Sequence, residues 1–183
     1  MNMNMNKEVQ VLDKKFKVSI SSEEIQKSIQ AMAKKINSDM AGKDVIFFGI
    51  LNGCFMFAGD LFKYIELPCQ ISFLKLASYQ GTSSSGNIKQ LIGINENIEG
   101  KTVIILEDIV DTGNTLDTII KQLKGYEPAE IKIATLLYKP LAYIKDIPID
   151  YKGFEIPNEF IIGYGLDYDG FGRNLKDIYT IIK

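Results

Sequence analysis

The densest group of chemically active residues in the sequence follows the apolar run Thr102–Leu106. Glu107 and Asp108 come directly after this run, and Asp111 follows three positions later. The segment Thr112–Thr115 then leads into a helical pattern. Its glycine permits a tight turn in which successive N–H groups surround an anion, and its two threonines add hydroxyl donors. Because a helix N-terminus also favours negative charge, the spacing predicts a phosphate site at the end of a buried strand.

The three carboxylates need a partner other than phosphate, because like charges repel. Carboxylate oxygens suit the hydroxyl groups of a sugar, or a Mg²⁺ ion that bridges to it. The stretch therefore predicts a ligand that carries a phosphate at one end and a polyol or a metal ion beside it. A solvated acidic turn before a capped helix is the alternative interpretation of Asp111–Gly113 taken alone.

Composition excludes several classes of chemistry for this chain of 183 residues and net charge −2. It contains no histidine, so Ser-His-Asp triads, Cys-His dyads and His-ligated zinc sites are excluded. Cys54 and Cys69 are too few for a disulfide scaffold or a four-cysteine metal site, and we expect free thiols in the cytoplasm. The longest apolar run, Val45–Leu51, is far shorter than the roughly 20 residues of a membrane span. We therefore expect no membrane partner. Because the chain is mildly acidic and has no cluster of Lys and Arg, we expect no nucleic-acid partner either.

Helical and strand-like patterns alternate and predict one α/β domain over residues 8–183, after a disordered tail at residues 1–7. Ser21 and Glu24 form a capping-box signature at the start of the first helix. Several strand patterns are continuous apolar runs, so we expect a mainly parallel twisted sheet flanked by helices. The predicted helices are Ser21–Met40, Phe55–Ile65 and Thr115–Lys124, and the predicted strands are Val45–Leu51, Gln70–Ala77, Ile88–Ile94, Thr102–Leu106 and Ile131–Tyr138.

Two segments fit this alternation less well. Residues 78–87 are polar, with three consecutive serines and two glycines, and predict a long mobile loop or a wide hairpin turn. After Pro140 the pattern loosens into short elements at Ile149–Phe154, at Phe160–Tyr164 and near Ile178. This part of the chain predicts a small subdomain or flap.

The segment Glu107–Thr115 resembles the phosphoribosyl pyrophosphate motif of type I phosphoribosyltransferases. Four further segments, in order along the chain, resemble motifs of the hypoxanthine/guanine branch of that family. They are the pyrophosphate loop and helix at Leu51–Leu61, the start of a flexible catalytic loop at Ser78 and Tyr79, the purine-site motif Leu136–Lys139, and the C-terminal motif Gly163–Tyr168 followed by Arg173. The resemblance covers residues 8–183 and implies the type I phosphoribosyltransferase fold, with a small hood subdomain formed mainly by residues 140–183 and part of residues 8–20.

The resemblance also implies a role for each matching residue. The ribose and 5′-phosphate would be bound by Glu107, Asp108, Asp111, Thr112, Gly113, Asn114 and Thr115, of which Asp111, Glu107 and Asp108 are the implied catalytic residues. The pyrophosphate would be bound by Asn52, Gly53 and Arg173, the purine by Lys139, Phe160, Ile161 and Asp167, and Mg²⁺ by Glu107, Asp108 and Asp167. Asn52 stands where many relatives carry Lys or Arg.

The implied activity is purine salvage. With Mg²⁺, the phosphoribosyl group of phosphoribosyl pyrophosphate would pass to hypoxanthine or guanine, giving IMP or GMP and pyrophosphate, in a homo-oligomer (a dimer or tetramer). Asp111 would act as general acid/base, Lys139 would meet the purine 6-oxo group, and the loop that begins at Ser78 would close over the site and exclude water. Three alternatives stay open: a xanthine-preferring transferase, a non-catalytic nucleotide-sensing regulator of the same fold, and a phosphate-binding domain without catalysis.

Overall fold

This computed structural model describes residues 8–79, 88–92 and 94–182. These residues form three helices and two β-sheets, joined by loops. The helices are α1 (Ser22–Asp39), α2 (Phe55–Phe62) and α3 (Asn114–Lys124), and none of them is both long and apolar enough to cross a membrane. The strands are β1 (Glu8–Val11), β2 (Lys14–Ile20), β3 (Val45–Ile50), β4 (Cys69–Tyr79), β5 (Ile88–Ile92), β6 (Thr102–Val110), β7 (Glu130–Tyr138), β8 (Tyr151–Glu155), β9 (Ile161–Ile162) and β10 (Ile178–Ile181). The predicted tail at residues 1–7 and the predicted loop residues 80–87 lie outside the described residues.

The larger sheet contains six strands in the order β5-β4-β3-β6-β7-β8. Its strands β4, β3, β6, β7 and β8 pair in parallel, and β5 pairs antiparallel with β4 at one edge. Every residue of β3 is buried, as expected for a strand that is covered on both faces. The prediction of a mainly parallel sheet flanked by helices is confirmed.

Alternate residues of β3 enter two separate hydrophobic cores, one on each side of the larger sheet. Phe47 packs into the core that contains the buried faces of α1 and α2, whereas Phe48 packs into the core that contains α3. The predicted capping box begins α1, because the Ser21 hydroxyl accepts the Glu24 backbone N–H at 3.3 Å and the Glu24 carboxylate accepts the Ser21 N–H at 2.9 Å. The alternation therefore fixes which helix covers which face of the sheet.

The smaller sheet contains four strands in the order β1-β2-β10-β9, all paired antiparallel. Phe16 of β2, Ile162 of β9 and Tyr179 of β10 form an apolar cluster of their own. This sheet, which we call the hood, joins the N-terminal strands to the C-terminal ones. It takes less of residues 140–183 than expected, because β8 at residues 151–155 pairs in parallel with β7 and extends the larger sheet. The sequence predicted an element near β8, but its local pattern did not encode the pairing partner.

The end of β6 differs from the prediction in a way that matters for the site. The strand continues past Leu106 to Val110, so Glu107 and Asp108 lie inside the strand rather than after it. The strand continues because Glu107, Ile109 and Val110 keep their pairing with β7. Two carboxylates are therefore held by the rigid ladder of a sheet instead of by a loop.

The carboxyl ends of β3, β6 and β7 lie side by side, because these strands are neighbours and run in the same direction. Loop residues that follow parallel strands come together at this edge of an open sheet. The loop Leu51–Cys54 after β3, residues 111–113 after β6, and Lys139 after β7 therefore share one edge.

Candidate active site

The acidic end of β6 and the N-terminus of α3 border a cavity of about 300 Å³ that is lined by residues 107–116. Gly113 is the N-cap of α3 and has a φ of 84°, a backbone conformation that favours glycine. As glycine, the N-cap residue has no side chain with which to cap the helix, and the Asn114 N–H donates to the Thr112 hydroxyl oxygen at 3.4 Å. Because a helix N-terminus presents N–H groups and a positive dipole end, the predicted phosphate loop, residues 111–115, is built to accept an anion.

A segment after β7 that sequence analysis missed packs against this phosphate loop. The Ile144 N–H donates to the Thr112 carbonyl oxygen at 3.3 Å. A Cβ on Gly113 would lie 2.5 Å from Tyr143 Cε2 and 2.8 Å from Lys145 Cγ, so the close packing also requires glycine here. The loose polar-apolar pattern after Pro140 contains no signal for these contacts.

Asp111 and Lys139 were both predicted as site residues, and the structure brings them together. Lys139 Nζ donates to Asp111 Oδ2 at 3.0 Å, and the Lys139 backbone N–H donates to the Val110 carbonyl oxygen at 3.0 Å. The Asp111 side chain is 45% exposed, whereas that of Lys139 is 9% exposed. Asp111 is therefore the accessible member of the pair, and its carboxylate is open to a ligand while a buried cation supports its charge.

Glu107 and Asp108 form a pair of adjacent carboxylates with little access to water. Burial raises the pKa of Glu107 well above its ordinary value, and the negative charge of Asp108 raises it further. Burial also raises the pKa of Asp108 to about 6, although the Ile109 N–H, which donates to Asp108 Oδ1 at 2.9 Å, acts in the opposite direction. Burial therefore makes the charged form of both acids less favourable than it is in water, and a bound cation would offset this cost.

The loop that follows β3 lies directly against Asp108. A Cβ on Gly53 would overlap the Asp108 carboxylate, so no other residue fits at this position. The Leu51–Asn52 peptide bond is cis, and the Asn52 side chain is exposed. The predicted pyrophosphate residues Asn52 and Gly53 are thus adjacent to the acidic end of β6.

The other side of this loop contacts the segment from Gly163 to Arg173. A Cβ on Gly165 would overlap the Gly53 carbonyl oxygen, and Gly165 has a φ of 100°. Arg173 Nη1 donates to the Gly165 carbonyl oxygen at 2.7 Å, and Arg173 Nη2 pairs with Asp167 Oδ1 at 2.5 Å. The structure therefore gathers predicted residues from three distant parts of the chain around Gly53.

Two residues that sequence reasoning missed lie behind this contact. The Tyr164 hydroxyl donates to Asp60 Oδ2 at 2.6 Å, which joins α2 to the segment that carries Gly165. Asp60 is the single charged residue of α2, whose other residues are apolar or glycine. A lone carboxylate in such a helix was the available signal, because a partly buried charge needs a partner.

Phe160 and Ile161, the predicted purine contacts, belong to the hood rather than to the larger sheet. The Phe160 ring lies 5.8 Å from the Tyr168 ring in an edge-on arrangement and 6.2 Å from the Phe16 ring. Phe160 is 46% exposed, so part of its ring is open to a stacking partner, whereas Ile161 is buried. Of the two polar residues predicted for the purine, Lys139 follows β7 in the larger sheet, and Asp167 lies between β9 and β10.

Ser78 and Tyr79, predicted to begin the flexible loop, are the last two residues of β4 and pair with β5. The residues that follow them, 80–87, are not among the described ones. Closure of a loop over the site stays a prediction.

The predicted Mg²⁺ ligands do not form a preformed metal cluster. Within residues 8–79, 88–92 and 94–182, no three or more His, Cys, Asp or Glu side chains are arranged to hold a metal ion. Asp167 is engaged by Arg173, and its Oδ2 accepts the Gly170 N–H at 2.7 Å. Glu107 and Asp108 remain, and Mg²⁺ is commonly bound by one or two carboxylates together with waters and substrate phosphates. The donor set therefore fits a Mg²⁺ ion that binds jointly with a phosphate ligand.

Comparison with known proteins relates this geometry to a family. Residues 21–169 match the phosphoribosyl transferase domain. A hypoxanthine-guanine phosphoribosyltransferase of Streptococcus pneumoniae (strain R6) is 43% identical over 165 residues, which cover 88% of this chain and 91% of that protein. The enzyme of the same description from Lactococcus lactis is 40% identical over 166 residues, covering 90% of each chain. A crystal structure of a hypoxanthine-guanine phosphoribosyltransferase from Bacillus anthracis superposes with a TM-score of 0.83 at 36% identity, covering 90% of this chain and 98% of that one. The type I fold that the motifs implied is confirmed.

Replacing Asp108 with Asn should stabilise the protein without ligand at pH 7. The pKa of this carboxyl is about 6 in the folded chain, above its ordinary value of 3.8, so the folded state binds more protons than the unfolded state between these values. Stability contributed by this group therefore falls as pH rises from about 4 to about 6 and stays low above that range. We expect Asp108→Asn to raise the free energy of unfolding at pH 7 by on the order of 1–3 kcal/mol, measured by urea denaturation.

The advantage of Asp108→Asn over the parent chain should shrink as pH is lowered towards 4. Asp146→Asn, at an exposed carboxylate, serves as the control and should leave the urea midpoint unchanged. A parent chain and Asp108→Asn variant of equal stability at pH 7 would contradict this account of the acidic pair.

Gly165→Ala should destabilise the fold much more than Gly170→Ala. Both glycines have a positive φ, 100° and 85°, but a Cβ meets the Gly53 backbone at position 165 and nothing within 4 Å at position 170. We expect a loss of about 3 kcal/mol or more for Gly165→Ala and about 1 kcal/mol for Gly170→Ala in urea denaturation. Equal losses would show that backbone conformation, and not the contact with Gly53, is what position 165 requires.

Proposed function

This chain belongs to the phosphoribosyltransferase family, and on that basis we propose that it joins hypoxanthine or guanine to the ribosyl carbon of phosphoribosyl pyrophosphate. The products are IMP or GMP and pyrophosphate, which makes the chain an enzyme of purine salvage. The observation that carries the proposal is the contact of 3.0 Å between Lys139 Nζ and Asp111 Oδ2. This contact links Lys139, a cation suited to a 6-oxopurine, to Asp111, the first residue of the phosphate loop.

The 5′-phosphate of the substrate occupies the phosphate loop. Thr112 and Thr115 offer hydroxyl donors, and Gly113 and Asn114 offer backbone N–H groups at the start of α3. With the 5′-phosphate in this loop, which begins at the end of β6, we expect the ribose to lie next to Glu107 and Asp108. Carboxylates accept hydrogen bonds from ribose hydroxyls, so this end of the strand selects a sugar phosphate.

The purine lies between the larger sheet and the hood. Lys139 has only donors, so it favours a 6-oxo group and disfavours the 6-amino group of adenine. Phe160 supplies an exposed aromatic face on which the base stacks, and the backbone at Ile161 reads its edge. Discrimination against xanthine depends on the backbone near Ile161 and Asp167.

The reaction exchanges one bond for another at the ribosyl carbon. The purine nitrogen forms a bond to that carbon, the bond from carbon to pyrophosphate oxygen breaks, and the oxygen keeps the electron pair. The purine loses a proton, and Asp111 accepts it as general base. The same Asp111 carboxylate faces the positive charge that develops on the ribosyl centre. Lys139 holds this carboxylate in place.

The pyrophosphate is received by Asn52 and Gly53 on one side and by Arg173 on the other. Backbone groups around Gly53 do much of this work, since the loop carries no cationic side chain at position 52. Glu107 and Asp108, with Asp167 nearby, would hold a Mg²⁺ ion, and that ion would supply neutralising charge for the leaving pyrophosphate. We expect a homo-oligomer in the cytoplasm, where the thiols of Cys54 and Cys69 stay free.

An ultraviolet assay tests the proposal directly. Purified protein, Mg²⁺ and phosphoribosyl pyrophosphate are mixed with hypoxanthine, guanine, xanthine or adenine in separate reactions. We expect turnover of hypoxanthine and guanine that requires Mg²⁺, and a fall in kcat of roughly 10²–10⁴-fold in Asp111→Asn, because general acid–base catalysis is worth about that much.

The pattern among the four bases decides between the open alternatives. Turnover of xanthine alone would assign the chain to a xanthine-preferring transferase. Folded protein that binds phosphoribosyl pyrophosphate but turns over none of the bases would overturn the enzyme assignment and favour a nucleotide sensor.

Lys139→Gln should weaken selection for 6-oxopurines. A hydrogen bond to a charged group is worth about 1.5–3 kcal/mol, so we expect kcat/KM for hypoxanthine to fall roughly 10- to 100-fold. The ratio of hypoxanthine to adenine turnover should fall with it, in the same assay. Lys152→Gln, at an exposed lysine of β8, is the control and should match the parent chain. An unchanged base ratio in Lys139→Gln would remove Lys139 from the purine site.

A further inference from the structure

We propose that Asp60 and Tyr164 form a clamp that positions the pyrophosphate-binding part of the site. Neither residue would touch the substrate, and both would act through Gly165. The proposal rests on the proposed roles of Gly53 and Arg173 in pyrophosphate binding. It adds a pair of positioning residues that hold the two sides of that subsite at a fixed distance.

The Asp60 carboxylate collects hydrogen bonds from three parts of the chain. The Tyr164 hydroxyl donates to Oδ2 at 2.6 Å, and Gln26 Nε2 of α1 donates to the same oxygen at 2.6 Å. Lys63 Nζ, just after α2, donates to Oδ1 at 2.6 Å. Asp60 is therefore the point at which α1, α2 and the segment Gly163–Arg173 meet.

The bond between Tyr164 and Asp60 is strong for its type. Tyr164 is only 2% exposed, so its hydroxyl has little access to water as an alternative partner. Burial acts to raise the pKa of Asp60, but the hydrogen bonds from Lys63, Tyr164 and Gln26 outweigh it and hold that pKa below its ordinary value. Asp60 is thus ionised at neutral pH, and hydrogen bonds to an ionised acceptor are roughly twice as strong as neutral ones.

Tyr164 transmits this fixed position to its chain neighbour Gly165. The Tyr164 backbone has a φ of 50°, and its N–H donates to the Leu175 carbonyl oxygen at 2.7 Å. Gly165 follows, packs against the Gly53 carbonyl oxygen, and accepts a hydrogen bond from Arg173 Nη1 at 2.7 Å. A shift of the Tyr164 ring therefore moves the backbone that contacts Gly53 and the carbonyl that orients Arg173.

The clamp closes because α2 begins at Phe55, directly after the loop that contains Gly53. Asp60 and Gly53 thus belong to one continuous piece of chain, and Tyr164 and Gly165 belong to another. The hydrogen bond between Asp60 and Tyr164 joins these two pieces behind the contact between Gly53 and Gly165. The phosphate loop is braced separately, by Tyr143 and other residues after β7, so loss of the clamp should affect pyrophosphate and spare the 5′-phosphate.

Tyr164→Phe tests the clamp, because it removes only the hydroxyl. Binding of inorganic pyrophosphate with Mg²⁺, and separately of IMP, is measured by isothermal titration calorimetry on the full chain. We expect pyrophosphate to bind about fivefold to twentyfold more weakly and the KM for phosphoribosyl pyrophosphate to rise similarly. IMP lacks a pyrophosphate group, so its affinity should stay within about twofold of the parent value.

Tyr151→Phe is a matched control for the loss of a buried tyrosine hydroxyl. Tyr151 of β8 is 4% exposed, and its hydroxyl donates to Asp39 Oδ2 at 3.1 Å, away from the described site. This variant should lose stability comparable to Tyr164→Phe and keep the parent affinity for pyrophosphate. A general effect of a weakened fold is thereby separated from a positioning effect.

Variants of Asp60 complete a double-mutant cycle. Asp60→Asn keeps an oxygen that accepts the Tyr164 hydroxyl, so it should retain most of the pyrophosphate affinity, whereas Asp60→Ala should match Tyr164→Phe. The double variant Asp60→Ala/Tyr164→Phe should bind pyrophosphate no more weakly than the worse single variant, since both remove the same interaction.

Three results would overturn the clamp. They are unchanged pyrophosphate binding in Tyr164→Phe, equal losses for pyrophosphate and IMP in that variant, or an equal loss of pyrophosphate binding in Tyr151→Phe. A parent chain that binds IMP but not pyrophosphate would overturn the clamp together with the assigned pyrophosphate subsite. A parent chain that turns over no purine would instead contradict the proposed function, so the two failures are distinguishable.

Discussion

Parallel pairing of β3, β6 and β7 is the constraint on which the whole site depends. Three strands that run in one direction deliver three chain segments to one edge of the sheet, and each segment supplies a different chemical group. The segment after β3 supplies backbone around Gly53, β6 supplies carboxylates, and β7 leads to Lys139. Such pairing requires helices on both faces, and the two hydrophobic cores meet that requirement. Packing far from the site therefore determines which groups meet at this edge of the sheet.

Local patterns in the sequence were enough to predict the elements that carry these groups. The capping box at Ser21, the apolar run of β3 and the glycine before α3 each depend on residues within a few positions of one another. Contacts between distant residues were a different matter. Asp60 and Tyr164 are 104 positions apart, and the sequence around one contains no pattern that indicates a contact with the other. The pairing of β8 with the larger sheet was missed for the same reason, because a short strand fits either sheet until its partner is known.

The chemistry of the site follows from acids held in unfavourable surroundings. Burial limits the access of Glu107 and Asp108 to water, and the chain contains no histidine that could serve as a general acid or base beside them. Asp111 differs from them because it is exposed and lies beside the Lys139 ammonium group. Environment alone therefore divides three neighbouring carboxylates into two acids whose pKa values are raised by burial and one that is open to solvent beside a cation. The sequence shows the three acids but not this division, because the division arises from how deeply each side chain is buried in the fold.

The loop after β3 places a closed position next to an open one. Gly53 is enclosed by the Asp108 carboxylate on one side and, through its carbonyl, by the Gly165 backbone on the other. Asn52, one residue earlier, has an exposed side chain. Substitutions at position 52 are therefore compatible with the fold, whereas no side chain fits at position 53. Position 52 is thus a place where the exposed surface of this loop can diverge among related sequences at little cost to the fold.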